Sequence, residues 1–399
     1  MGDDIDEGTA FEFSGSWKEF LPIALTNLLL TIVTLGLYRF WATTRERRYF
    51  WSRTRFIDDR LEWTGTGLEL LIGFVVVLAL VFVPLFVMQF VVQGLILRGH
   101  AAAAFALGGL IYGALFYLFG IAKFRVLRYR LSRTYWHGIR GGSDDQGFAY
   151  GWSYMWKTVI GFLALGLLIP WSMTKLWNER WNAMSFGDHR FESNAFWGSI
   201  FLRFIICYAA PWVLMIGLGI AMIPIAMAMG NASGAGVMIL IFGVFGAIYI
   251  ALPLFALAFY AAFLREAVGA VKLSEIGFAF TARTKHWLLL FLGNLGIWLI
   301  AAIIAIVPLA AFGVFSGFAD LQPGRDPFAG NRAAFFGMIA AIALPIALVG
   351  PFIRYRTWRF GVNYLEATGE VDLDRLTQSS TRQPGQGEGL LDAFDVGAL

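Results

Sequence analysis

The sequence predicts an all-α polytopic membrane protein with six spanning helices in three hairpins. Two further apolar segments are predicted to be short re-entrant or interfacial pieces, and Arg- and Trp-rich cytoplasmic segments recur between the apolar runs. Composition, the distribution of positive charge and internal repeats predict this fold. The 399 residues are 58% hydrophobic and 15% charged, with a mean hydropathy of +0.66. This is more apolar surface than a soluble protein of this size carries.

The apolar residues form eight runs separated by polar segments. Most runs reach the ~20 residues that a helix needs to span the hydrocarbon of a bilayer. The run at 158–173 is short for that purpose. The eight runs are 20–40, 68–97, 101–122, 158–173, 198–229, 236–263, 287–318 and 334–353.

Positive charge decides which runs cross, because loops rich in Lys and Arg stay on the cytoplasmic side. Segment 42–67 holds six basic residues, and segment 174–195 holds three. These segments would face opposite sides if every run crossed. If instead 20–40 and 158–173 enter and return, the outer side receives only three of the 31 basic residues. Those three are Arg98, Arg325 and Arg332.

Six spanning runs then remain, and both termini are predicted to be cytoplasmic. They pair as three hairpins: 68–97 with 101–122, 198–229 with 236–263, and 287–318 with 334–353. Residues 377–399 turn polar and are predicted to be a flexible cytoplasmic tail.

Internal repeats support the same topology. Sliding the chain by 130 residues places seven identical residues in register between 41–62 and 171–192, including Trp41 on Trp171 and Asp58 on Asp188. Related segments should share one environment, yet only 158–173 separates 172–192 from another copy at 122–140. The integral membrane domain is therefore predicted to span 1–376, with repeats at about 11–140, 148–280 and 285–376.

We call the three related segments, 42–62, 122–140 and 172–192, the collars. Each is predicted to continue a helix, turn at a Gly or Asp, and run extended for a few residues. The alternating residues at 60–63 and 190–192 are typical of short strands. The Trp and Arg residues of the collars indicate a membrane interface on the cytoplasmic side.

Two sets of residues are candidates for function. Arg45 and Arg48 share one helical face, and Arg125 and Arg128 repeat the spacing. They are candidate contacts to lipid phosphates, although ordinary interface anchoring and ion pairing are alternatives. Asn27, Thr31 and Thr34 form one helical stripe, and Asn294 occupies a comparable run. These four are candidates for a polar pathway, with helix packing as the alternative.

The sequence predicts neither an enzyme nor a metal or cofactor protein. The four histidines lie on different loops without metal-ligand spacing, and no phosphate loop or nucleophile elbow occurs. Because the arginines alternate with Trp at interface spacing, we expect membrane lipids, mainly anionic headgroups on the cytoplasmic side, rather than nucleic acid as partners. The oligomeric state is not predicted.

Several segments resemble the YjgN-like family of uncharacterised bacterial inner-membrane proteins. The resemblance rests on FEFSGSWKEF at 11–20, NLLLTIVTLGLYRFWATTRERRYFWSRT at 27–54, LEWTGTGLELLIGF at 61–74 and DAFDVGAL at 392–399. It implies location in the bacterial cytoplasmic membrane and no particular activity. The chain departs from the family pattern at 165–181, where most of the collar arginines are replaced.

The sequence is compatible with three classes of function. The first hypothesis is a transporter or channel for a small solute, because repeats and re-entrant segments build midplane sites in such proteins. The alternative is a non-transporting scaffold that binds or organises anionic lipid, and a lipid-modifying enzyme ranks third. An aqueous cavity at Asn27, Thr31 or Asn294 would favour transport. Grooves beside the collar arginines would favour lipid binding.

Overall fold

The computed structural model describes residues 3–4, 10–228, 234–311, 332–371 and 376–385. Its helices are α1 (Trp17–Val33), α2 (Arg39–Ser52), α3 (Gly67–Val77), α4 (Val83–Leu97), α5 (Ala101–Arg133), α6 (Phe148–Leu163), α7 (Ile169–Asn182), α8 (Trp197–Ala228), α9 (Gly234–Gly269), α10 (Thr284–Ala311) and α11 (Arg332–Asn363). A π-helical turn, Leu78–Phe82, joins α3 to α4 just before Pro84.

Strands follow or precede nearly every helix. They are β1 (Asp3–Asp4), β2 (Phe11–Phe13), β3 (Thr54–Phe56), β4 (Asp59–Arg60), β5 (Glu62–Trp63), β6 (Thr134–Trp136), β7 (Ile139–Gly142), β8 (Ser185–Phe186), β9 (His189–Ser193), β10 (Val271–Leu273), β11 (Ile276–Phe280), β12 (Leu365–Thr368) and β13 (Glu370–Val371). The extended pieces predicted at 60–63 and 190–192 are among them.

Strands β2 to β12 form a curved antiparallel sheet system, which we call the strand ring. Strands β5 to β12 pair in chain order, as do β2 to β4. The two sheets meet at Leu61, whose N–H donates to the carbonyl of Thr54 at 2.9 Å. Side chains from strands around the whole ring line one cavity, so the sheet curls around it. The all-α prediction is therefore incomplete. Strands of two to five residues carry too short an alternation to stand out beside eight apolar runs.

Helical hairpins alternate with the strand hairpins of the ring. Helices α1 and α2 lie between β2 and β3, which pair with each other, and α6 and α7 lie between β7 and β8, which also pair. The connections from β5 to β6, β9 to β10 and β11 to β12 hold the three long hairpins. Each helical hairpin therefore leaves the ring and returns to it at the neighbouring strand.

Five helical segments are long and apolar enough to cross a membrane. They are Gly67–Leu97, Ala101–Arg133, Trp197–Pro224, Phe242–Gly269 and Thr284–Ile306. They correspond to five of the six predicted spans. The sixth, 334–353, falls in α11, where the side chains of 332–342 and 344 lie outside the described part, as do the connections 229–233 and 312–331.

The two short apolar segments turn back on themselves. Leu35 and Gly36 adopt positive φ angles of 51° and 93°, and Leu165 and Gly166 adopt 52° and 79°. Both turns place a leucine in the left-handed region that glycine favours, and the two leucines are 95% and 79% exposed. With 17 residues, α1 is ~25 Å long. Each short hairpin thus presents an apolar tip and keeps both of its ends at the ring.

Contacts between α2 and α11 join the beginning of the chain to its end. The carboxylate of Glu46 on α2 is buried and accepts two hydrogen bonds from the Arg354 guanidinium on α11, at 2.8 and 3.0 Å. Beside this ion pair, Trp51 stacks on Trp358 with ring centroids 4.3 Å apart. These contacts fix the last helical hairpin against the first.

Residues 376–385, at the start of the predicted flexible tail, are docked on the ring. Gln378 donates to the carbonyl of Gly138 at 2.8 Å and accepts from the Arg140 N–H at 3.2 Å. The N–H of Thr377 donates to Asp188 at 3.2 Å. The predicted domain boundary at 377 stays a prediction, although these first tail residues are hydrogen-bonded to the ring. The polar composition of this segment reflects hydrogen bonding to exposed strand turns, and residues 386–399 lie outside the described part.

The Glu46 ion pair predicts an asymmetry between two substitutions. Arg354→Gln leaves a buried carboxylate uncompensated, so it should destabilise the protein by roughly 2 kcal/mol or more. Glu46→Gln leaves a cation whose side chain is 45% exposed and should cost less. Melting temperature in detergent measures both. Glu12→Gln is the control, because its pair with Arg55 is exposed on both sides and contributes about 0–1 kcal/mol. Equal melting temperatures for Arg354→Gln and Glu12→Gln would contradict this account.

Tail docking predicts faster local hydrogen exchange when Asp188 is removed. The hydrogen bond from Thr377 lowers the pKa of Asp188 below its ordinary value of 3.8. The contact is therefore present above that value and weakens as the pH falls through the lowered pKa. At neutral pH, Asp188→Ala should speed amide exchange at 377–382 on the order of threefold. Glu192→Ala, an exposed change on the same strand hairpin, should leave exchange unaltered, and equal exchange in both variants would refute the docking role.

Candidate functional site

The polar stripe on α1 forms hydrogen bonds within its own helical hairpin, but the buried side-chain oxygen of Asn27 has no hydrogen-bond partner among the described residues. The Asn27 side chain is 3% exposed and donates to the carbonyl of Ala42 on α2 at 3.3 Å. The Thr31 and Thr34 hydroxyls donate to the carbonyls four residues earlier, at 2.6 and 2.8 Å. The Asn27 bond connects α1 to α2 and the threonine bonds lie within α1, an arrangement that favours the helix-packing alternative.

Asn294 lies in a different hairpin and has a different role. Its side-chain oxygen accepts a hydrogen bond from Arg356 at 3.0 Å, which links α10 to α11. The structure therefore does not bring the four candidate pathway residues together. The cavities described below are lined by other side chains.

The four candidate arginines differ in exposure. Arg45 and Arg48 are exposed on α2, and Arg48 lies 3.4 Å from the carbonyl of Gly65. Arg125 is half-buried and donates to the carbonyl of Gln146 at 3.1 Å. Arg128 is only 1% exposed, so its guanidinium faces the protein interior. Arg45 and Arg48 are therefore the two of this set whose side chains are exposed.

Several collar tryptophans are interior residues rather than interface anchors. Trp63 and Trp136 are 6% and 2% exposed. The indole N–H of Trp136 donates to the carbonyl of Phe56 at 3.0 Å, and that of Trp51 donates to Thr134 at 2.9 Å. The prediction of an aromatic belt is therefore wrong for these positions. Trp beside Arg is a pattern that fits a membrane interface and also fits this packed ring. The pattern alone therefore does not distinguish the two environments.

The strand ring encloses an apolar cavity of about 350 Å³. Aromatic side chains from six strands line it, and Leu376 from the docked tail covers part of it. Its lining residues include Phe11, Phe56, Trp136, Phe186, Phe278 and Leu376, with His189 and Glu275 among the polar members.

A second cavity, of about 630 Å³, lies between α5, α6, α7 and α9. We call it the cationic cavity, because Lys123, Arg130 and Arg180 line it and no carboxylate does. Its wall also carries three tyrosines and several apolar side chains. Tyr150, Tyr154, Tyr260, Phe119, Phe162, Ile169, Met173, Trp177, Trp181 and Phe263 are among these residues.

Regular helical spacing brings the polar residues of the cationic cavity together. Lys123 and Arg130 are two turns apart on α5, and Ser172 and Arg180 lie eight residues apart on one face of α7. Tyr150 and Tyr154 are one turn apart on α6. Such stripes were visible in the sequence. They do not predict a shared site, because these residues come together only through the packing of four helices from three different hairpins.

Electrostatics of the cationic cavity favour an anion. The nearby carboxylate of Glu179 is engaged by Lys157 in an ion pair, and among the described residues it forms no ion pair with Lys123 or Arg180. Burial raises the pKa of Tyr150 to about 12. Its phenol therefore stays neutral at physiological pH and can donate a hydrogen bond.

No metal site accompanies this cavity in the part of the chain described. The described residues contain no group of three or more His, Cys, Asp or Glu side chains placed to hold a metal ion. The arrangement can bind an anion through cations and phenols, and it offers an apolar surface for a hydrophobic portion of the same ligand.

Comparison with known proteins gives a family and two partial relatives. The family model described as "Bacterial protein of unknown function (DUF898)" matches residues 8–393. Inner membrane protein YjgN of Salmonella typhimurium is 28% identical over 143 residues, which cover 36% of this chain and 33% of that protein. Inner membrane protein YjgN of Escherichia coli K12 is 34% identical over 58 residues, 14% of this chain and 15% of its own length. No solved structure matches.

Proposed function

We propose, from the premise that the chain belongs to the DUF898 family of bacterial proteins, that it is an inner-membrane scaffold that binds and organises anionic lipid. In this proposal the strand ring and both termini are cytoplasmic, and three long hairpins cross the membrane. The short hairpins of α1–α2 and α6–α7 insert their tips from the cytoplasmic side without crossing. The protein binds lipid and carries out no catalytic step on it.

Positive charge supports this orientation. The basic segments 42–67, 123–157 and 174–195 all include strands of the ring or helix ends that meet it. Because each helical hairpin returns to the neighbouring strand, these segments share one side. That side should be cytoplasmic by the positive-inside rule.

The observation that carries the proposal is how little the spanning helices bury. In the most apolar window of each of the five segments, between 0% and 17% of residues are buried inside the protein. The hairpins therefore present most of their apolar surface to lipid instead of enclosing a pathway. At the cytoplasmic base of these lipid-facing elements lie the exposed cations Arg45 and Arg48, where anionic headgroups would meet them.

Transport of a small solute is the alternative that the sequence first favoured. A midplane site needs polar groups that face a water-filled space. The amide N–H of Asn27 and the hydroxyls of Thr31 and Thr34 instead donate within their own helical hairpin, and the buried Asn27 oxygen lines none of the described cavities. We therefore prefer lipid binding to transport.

Removing the exposed collar charge should weaken binding to anionic bilayers. Each basic residue near an anionic surface contributes about 1 kcal/mol, so Arg45→Gln combined with Arg48→Gln should lower the retention of anionic lipid roughly tenfold or more. Retention is measured as the ratio of phosphatidylglycerol to phosphatidylcholine that copurifies from mixed vesicles in mild detergent.

Arg98→Gln is the matched control, because Arg98 is an exposed arginine at the opposite end of the first long hairpin. It should leave the ratio unchanged. An unchanged ratio in the double variant at 45 and 48, with the melting temperature preserved, would refute the proposal for this surface.

A further inference from the structure

We infer that the cationic cavity is a discrete site for the phosphate group of a single anionic phospholipid, held with its headgroup toward the strand ring. The inference rests on the proposed function and deepens it, because it names a ligand and a pocket apart from the exposed surface of α2. Four features of the cavity support it: its polarity gradient, its buried donors without a described partner, the way its cations are held, and the depression next to it.

Polarity changes along the cavity in the direction a lipid would lie. Helix α5 ends at the ring, so Arg130 lies near the ring and Phe119 lies eleven residues farther from it, ~16 Å along the helix. Helix α7 also ends at the ring, which puts Arg180 near it and Ile169 far from it. Arg130 and Arg180 therefore line the end by the ring, Lys123 lies between the two ends, and apolar side chains line the end farther from the ring.

Three buried hydrogen-bond donors without a described partner belong to residues that line the cavity. The Nε atom of Arg180 and the indole N–H groups of Trp177 and Trp181 are buried and have no hydrogen-bond partner among the described residues. A buried donor without an acceptor costs about 1–3 kcal/mol. A phosphate group supplies several strong acceptor oxygens, and its charge matches the cations.

Aromatic rings, rather than carboxylates, hold the cations in place. The Lys123 ammonium lies 5.2 Å from the centroid of Phe119 and 5.1 Å from that of Tyr154. The Arg180 guanidinium lies 5.4 Å from the ring of Trp177. Cation–π contacts position these groups without neutralising them, so both charges remain available to an anionic ligand.

A surface depression lies next to the cavity and shares part of its wall. It lies between α5 and α6, measures about 480 Å³, and shares Tyr154, Thr158 and Phe162 with the cavity. A phospholipid could thus place its phosphate inside while its acyl chains extend over the apolar surface outside. The cavity volume of about 630 Å³ falls within the range of small-molecule sites and accommodates a headgroup with the first acyl carbons.

Native mass spectrometry of the full chain tests the inference. After delipidation, the protein is titrated with phosphatidylglycerol, phosphatidylcholine or inorganic phosphate. The unaltered protein should bind one phosphatidylglycerol in preference to phosphatidylcholine. Combining Lys123→Gln with Arg180→Gln should weaken that first binding event by about tenfold or more, whereas Lys175→Gln, an exposed change on α7, should not.

A cavity-filling variant keeps the test decisive if the double variant folds poorly. Thr158→Trp leaves every cation in place but adds bulk at the wall shared with the depression, and it should also weaken phosphatidylglycerol binding. Saturable binding of inorganic phosphate that depends on Arg180, without a bound phospholipid, would identify a free phosphate as the ligand and overturn the lipid assignment. Equal phosphatidylglycerol binding in the unaltered protein and in both cavity variants would overturn the site altogether.

The two lipid proposals fail separately. If Arg45→Gln with Arg48→Gln has no effect while the cavity variants lose the single bound lipid, the surface proposal falls and the site remains. If the cavity variants bind one lipid normally while the collar variant loses bulk anionic lipid, the site falls and the surface proposal remains.

Discussion

Antiparallel pairing of successive strands is the constraint on which the rest of the structure depends. Neighbouring ring strands are joined either by a tight turn or by a helical hairpin. A hairpin whose two ends are held by paired strands starts and finishes at one level, whatever its length. The short excursions of α1–α2 and α6–α7 and the long ones between them therefore follow one rule. Length alone decides whether a hairpin spans the membrane or only inserts its tip.

This constraint also accounts for where charge and polarity lie. Because all helical hairpins share one base, basic residues at helix ends collect at the level of the ring, and apolar surface extends away from it. The hairpins separate enough that their sides stay exposed to lipid. Where α5, α6, α7 and α9 do converge, Lys123, Arg130 and Arg180 end up around one space. The two proposed lipid sites reflect this geometry: an exposed surface at Arg45 and Arg48, and the cationic cavity above the ring.

The sequence predicts the parts of the fold that composition and charge determine. The apolar runs matched helices, and the loop charges indicated that 20–40 and 158–173 turn back. The ring itself escaped prediction, because pairing between strands such as β9 and β10 spans about 80 residues and leaves no local periodicity. For the same reason Trp136 was assigned to an interface although it packs inside the ring. Exposure of Arg45 and burial of Arg128, with similar sequence surroundings, depend on the same long-range packing.

Thiol accessibility tests the central claim, that every ring turn lies on one side of the membrane, most directly. Single cysteines replace Asp58, Asp188 or His100 in a Cys207→Ser background, and an impermeant maleimide is applied to oriented inner-membrane vesicles. All three positions are exposed. The account predicts that Asp58→Cys and Asp188→Cys react from the cytoplasmic side and that His100→Cys reacts from the other. Labelling of positions 58 and 188 from opposite sides would contradict it, because α6–α7 would then cross the membrane.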